Sequence, residues 1–110
     1  MAAGTIPWTN HETKQFGIAV AQNGGTRTIA VSATTFGVIF TFGGSEAKSG
    51  CYNLIVGSTG GVRITPINAA SDISFNTNTN YRLTITNANS GSISVYALIF
   101  NGDMPSVVST

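Results

Sequence analysis

The stretch Tyr81-Arg82-Leu83-Thr84-Ile85-Thr86-Asn87-Ala88-Asn89-Ser90-Gly91-Ser92-Ile93-Ser94-Val95-Tyr96-Ala97-Leu98-Ile99-Phe100 decides the fold. Its first half alternates with a period of two: Tyr81, Leu83 and Ile85 share one side, and Arg82, Thr84 and Thr86 share the other. That is the pattern of a half-buried antiparallel strand. Asn87 to Gly91 supplies turn chemistry, so the pattern predicts a hairpin into a second strand, Ser92 to Phe100. There Ile93, Val95, Ala97 and Ile99 make one continuous apolar side that belongs in a core. The opposite side begins polar at Ser92 and Ser94 and turns apolar at Tyr96, Leu98 and Phe100.

The same alternation, broken by Gly, Asn and Ser clusters, extends back to residue 16 and predicts six further strands. Strand one, 16–21, turns Phe16, Ile18 and Val20 inward; strand two, 27–32, turns Ile29 and Val31 inward. Asn23-Gly24 between them is a strong hairpin signal, because primed turns need positive φ at their central residues. Strand three, 37–42, is read with Val38, Phe40 and Phe42 inward and Ile39 outward. Strand four, 51–57, buries Tyr52, Leu54 and Val56 and leaves Ile55 outward. Strand five, 62–65, stops at Pro66, a residue confined to edges and strand ends, and strand six covers 72–75. No stretch has helical periodicity. Short strands with Gly-rich turns predict an all-β fold: an antiparallel two-sheet β-sandwich of jelly-roll or related Greek-key type with about eight strands. Residues 1–15 read as an irregular N-terminal segment and 16–110 as a single domain, which the length of 110 residues fills.

Composition narrows the function classes. Charged residues are 8% of the chain and the net charge is +1. That is too little for the basic stripe with which a nucleic-acid binder neutralises phosphates. Thr, Ser, Gly and Asn account for 49 of the 110 residues, so the polar surface is built from neutral hydroxyls and amides. No apolar run approaches the roughly 18–20 residues a bilayer span needs, which predicts no membrane insertion. Residues 1–15 lack the basic and apolar regions of a secretory leader. An extracellular type of surface without an export signal suits a virion component made in a host cytoplasm; an extracellular protein trimmed of its leader is the alternative.

Catalytic groups are sparse. Glu12, Glu46, Asp72 and Asp103 stand singly in predicted loops or strand ends, with no sign of the converging pair that acid–base chemistry needs. His11 is the sole histidine and lies in the irregular segment, a poor scaffold for a triad. Cys51 heads an apolar strand with no base nearby and reads as a small buried hydrophobe. One His and one Cys forty residues apart make no metal site, and Gly43 to Gly50 has its Lys48 after Ala47 and before a strand, unlike a phosphate loop. Tyr52 and Tyr81 fall on inward phases, while Trp8 reads equally as a plug for one end of the sandwich or as a contact within an assembly. The expectation is a non-enzyme without metal or cofactor.

Two surfaces remain as candidates. Eight antiparallel strands crossing in sequence send the connections 22–26, 43–50, 66–71 and 87–91 to one end, and 33–36, 58–61 and 76–80 with both termini to the other. The first end is the expected ligand-binding tip, with contacts from Gln22, Asn23, Ser45, Glu46, Lys48 and Asn89. The second surface is an oligomer interface of Tyr96, Leu98, Phe100, Ile39 and Ile55, because three large apolar side chains on the outward side of one strand need a cover. Either a further copy supplies that cover, or Ile6, Pro7 and Trp8 fold back over it.

The segments Ser49 to Gly57, Val62 to Thr65, Tyr81 to Asn87 and Val95 to Phe100 together resemble the C-terminal part of phage tail-fibre and receptor-binding tip domains. In those tips a Gly-aromatic strand is followed by a Leu-Thr-Ile-Thr-Asn hairpin and a final apolar strand. The resemblance spans about residues 49–100 and implies a compact head, usually a homotrimer, that recognises a cell-surface glycan or protein. The chain lacks the shaft of a full fibre. A structural capsid-decoration or appendage protein is one alternative. An extracellular bacterial carbohydrate-binding module, which would want exposed aromatics on a sheet face or at loop tips, is another.

Overall fold

A computed structural model describes residues 13–109, so the readings of Ile6, Pro7, Trp8, His11 and Glu12 lie outside the described residues. Among the described residues are nine strands: β1 (Lys14–Val20), β2 (Gly25–Ala30), β3 (Thr35–Phe42), β4 (Gly50–Val56), β5 (Val62–Asn68), β6 (Ile73–Asn76), β7 (Arg82–Asn87), β8 (Ile93–Asn101) and β9 (Ser106–Ser109). They form two sheets of antiparallel neighbours, ordered β1-β8-β3-β4-β5 and β6-β7-β2-β9. The expected all-β, two-sheet sandwich is therefore present.

The core lies between the sheets, and its phase matches the sequence pattern on most strands. Ile93, Val95, Ala97 and Ile99 of β8 face Ile29 of β2 and Leu83 and Ile85 of β7 in one cluster with Val20, Val31, Leu54 and Val56. Phe16 and Ile18 of the edge strand β1 pack against its rim. Tyr52 is buried with its ring edge-on to Phe75 of the other sheet at 4.6 Å. Its hydroxyl accepts a hydrogen bond from the Ala70 N–H at 2.8 Å, so the aromatic body is buried without an orphaned polar tip.

The reading of β3 is reversed. Ile39 is fully buried in the core and shares the inner side with Thr35, Gly37 and Thr41, while Phe36, Phe40 and Phe42 point outward and are exposed. The cause is the register: Ile39 sits opposite Ala97 of β8 and Tyr52 of β4, both inward residues, and neighbours across a ladder share a side. Alternation alone gave no such anchor, because both sides of this strand are apolar.

Two connections read as hairpins join the sheets instead. Asn23 (φ 59°) and Gly24 (φ 89°) form the expected tight turn, with Gly25 N–H donating to Gln22 O at 3.3 Å. Yet β1 pairs with β8 and β2 pairs with β7, so the turn is a corner between layers. The 88–92 connection likewise carries β7 of one sheet into β8 of the other. The hairpins within a sheet are β3–β4, β4–β5 and β6–β7.

Three smaller differences follow. β5 runs on through Pro66, which an edge strand tolerates. Tyr81 precedes β7 at φ 63° and is partly exposed, covering the turn at Gly60 instead of entering the core. A ninth strand, β9, follows Pro105 and pairs Ser106 with Ala30 and Ser109 with Thr28, so the chain turns back from the end where β1 begins. β9 therefore runs away from the end where β1 begins, whereas an eight-strand count requires the first strand to begin and the last to finish at one end.

Candidate functional site

Strand direction still gathers the connections as expected, since the ninth strand adds only one crossing. The segments 21–24, 43–49, 69–72 and 88–92 share one end and are tied by backbone hydrogen bonds. Asn23 N–H donates to Asn89 O at 2.8 Å, Gly24 N–H to Asn87 O at 2.7 Å, Ala88 N–H to Asp72 O at 2.9 Å, and Ser71 N–H to Ala47 O at 2.9 Å. The longest connection carries one turn of 3-10 helix, Glu46–Lys48, and folds on itself through the Ser49 hydroxyl, which donates to Ser45 O at 2.7 Å and accepts from Gly43 N–H at 3.3 Å.

Asn87 lies under this end with no exposed surface. Its Nδ2 donates to Val20 O at 3.2 Å and to Gly91 O at 2.9 Å, and its Oδ1 accepts from Asn89 N–H at 2.9 Å. One amide thereby joins the ends of β1, β7 and the 88–92 connection.

Of the six residues expected to contact a ligand, Gln22, Asn23, Ser45 and Glu46 are exposed on this end and Lys48 is half-buried. Asn89 is not available: it is 3% exposed, and its Nδ2 donates to Ser71 O at 3.4 Å, bracing one connection against the next. Asp72 stands exposed at φ 61° on the same end, where the sequence placed it at the start of a strand. Asp103 is far off, at the opposite end, with its N–H bonded to the Ser32 hydroxyl at 3.0 Å. Among the described residues no group of three or more His, Cys, Asp or Glu side chains could hold a metal ion. No helix among them is long and apolar enough to cross a membrane.

The outer side of the five-stranded sheet is the second candidate. β8 contributes Tyr96, Leu98 and Phe100 and β4 contributes Ile55, as expected, but Ile39 is absent from it. In its place stand Phe36, Val38, Phe40 and Phe42. Register makes the surface continuous: Val38 lies beside Leu98, Phe40 between Tyr96 and Cys51, and Phe36 beside Ile55. Phe42 is 58% exposed, Tyr96 51% and Phe36 44%. Cys51 is half-buried on this side, not in the core where its apolar neighbours had placed it. The signal for the missed residues was the run Phe36 to Phe42 itself, which is apolar on both phases, as strands covered on both sides are. At the β1 edge a shallow groove runs between Gln15, Gly17, Tyr96 and Leu98; a Cβ on Gly17 would stand 3.3 Å from the Tyr96 ring.

Comparison with known proteins gives no match: no family model, no curated protein and no solved structure aligns significantly with the chain.

Proposed function

We propose that this chain is a non-catalytic binding head of the phage tail-fibre or tail-tip kind, which works as a homo-oligomer in a virion and meets a cell-surface glycan or protein with its loop end. The observation that carries the reading is that end. Four connections are held against one another by backbone and buried-amide hydrogen bonds, and they present Gln22, Asn23, Ser45 and Glu46 to solvent on a rigid sandwich. The Gln22 and Asn23 amides and the Ser45 hydroxyl both donate and accept hydrogen bonds and the Glu46 carboxylate accepts them, which suits recognition of hydroxyl-rich ligands. A jelly-roll type of winding is supported by the β1–β8 and β2–β7 pairings, which run the first and last turns of the chain side by side.

A structural capsid or appendage subunit is the second reading, favoured by the broad aromatic outer side of the five-stranded sheet. Glycan-array and cell-binding measurements separate the two. Gln22→Ala, Asn23→Gly, Ser45→Ala, Glu46→Ala and Lys48→Ala are combined, with Gly at 23 because φ there is 59° and Ala would be strained. Asn89 is left alone as a brace. The expected result is binding by the wild type and its loss in the variant at an unchanged melting temperature. Binding that survives all five changes would overturn the loop-end assignment, and a wild type that binds nothing while remaining assembled would favour the structural subunit.

A further inference from the structure

We propose that the outer side of the five-stranded sheet, centred on β3 and β8, is the surface on which a second copy of this chain packs. This names the partner surface that the oligomeric part of the reading above requires, and it stands whether or not the loop end binds anything.

The outward residues of the three central strands are Phe36, Val38, Phe40 and Phe42 on β3, Ser94, Tyr96, Leu98 and Phe100 on β8, and Cys51, Asn53 and Ile55 on β4. None carries a charge. A cation, Arg63, stands opposite Ile55 on the edge strand β5. At about 150–250 Å² per large side chain, the exposed fractions of Phe36, Phe40, Phe42, Tyr96 and Ile55, together with the half-buried Val38, Leu98 and Phe100, leave up to about 600 Å² of largely apolar side chain per copy. That is the upper end of the largest patch a soluble monomer ordinarily shows. Matching it with the same surface of another copy buries on the order of 1,200 Å², where specific interfaces begin. The face is the outer surface of a sheet, and sheets pack on sheets face to face. Copies can meet across a two-fold axis or turn the same side inward around a three-fold axis, and each arrangement closes on itself.

A carbohydrate is a poorer occupant. Sugar platforms pair stacking rings with polar groups for the hydroxyls, and the central strands offer only Asn53 and Ser94 among four large apolar side chains on β3 and three on β8.

Light scattering coupled to size exclusion tests the proposal at micromolar concentration, with Cys51 as a built-in reporter because it adjoins Phe40. The expected wild-type mass is two or three times 11.4 kDa, with Cys51 resistant to maleimide. Phe42→Glu and, separately, Tyr96→Lys change exposed side chains, so each is expected to yield a single-chain mass with a retained β-type circular dichroism spectrum and Cys51 labelled several-fold faster. The five-residue loop variant is expected to stay assembled, which keeps a failure of receptor binding distinct from a failure of association. A wild type of single-chain mass overturns the proposal. If that monomer protects Cys51 until residues 1–12 are removed, the surface belongs to that segment; if insoluble polysaccharide protects it, the surface belongs to a glycan. An oligomer unmoved by either substitution also overturns it.

Discussion

Asn87 shows how much of the loop end hangs on single buried amides. Its three hydrogen bonds reach Val20, Gly91 and Asn89, and no solvent is at hand to replace them. Asn87→Ala removes the bonds and leaves two carbonyls and an N–H without their partner, a change expected to cost about 3 kcal/mol in urea unfolding. A cost under about 1 kcal/mol would mean that the end is held by its backbone contacts alone. The sequence offered Asn87 only as the first residue of a turn, and Asn89 as a ligand contact. Composition marks such residues as turn formers because their amides bond locally. Whether a given amide points into water or under the loop depends on a partner such as Val20, 67 residues away, and nothing in local spacing encodes that distance.

At the scale of the element, β3 and the 22–25 turn show the same division. The turn's chemistry was legible, since Asn-Gly takes positive φ wherever it stands. Its pairing was not legible: β1 gains a seven-residue ladder with β8, and a corner turn serves the two-layer arrangement equally well. For β3, the hydrophobic pattern pointed to the wrong side because that side is the more apolar one. Inward stand Thr35, Gly37, Ile39 and Thr41, and outward stand three phenylalanines and a valine. Strands β1, β2, β4 and β8 read correctly because only one of their phases could form the core. Substitution separates the two sides of β3. Ile39→Ala is expected to cost about 2–5 kcal/mol as a core truncation. Phe40→Ala is expected to cost under about 1 kcal/mol when measured in the Phe42→Glu background, where the proposed association would not add to stability. Equal costs for the two would return β3 to the phase that the pattern suggested.

For the whole molecule, a sheet apolar on both sides would form the middle of the proposed assembly of copies, and the chain's charge distribution sets which force would hold it. Charged residues are 8% of the sequence with a net charge of +1, and the outward positions of β3, β4 and β8 contain none. An association driven by ion pairs weakens as salt shortens the screening length from about 10 Å at 0.1 M to about 3 Å at 1 M. One driven by burial of phenylalanine and tyrosine rings does not, and sulfate strengthens it. The elution position is therefore expected to stay constant across that salt range. Burial shared between copies would also tie stability to mass action, because an assembled form is favoured over unfolded chains as concentration rises. A tenfold increase in protein concentration is expected to add on the order of 1 kcal/mol to the unfolding free energy and to raise the melting temperature by a few °C. Phe42→Glu, whose charge would sit unpaired between two apolar layers, is expected to abolish that dependence while keeping a single cooperative transition. A wild-type melting temperature indifferent to concentration, or an assembly dissolved by salt, would show that the aromatic side of the sheet does not hold the copies together.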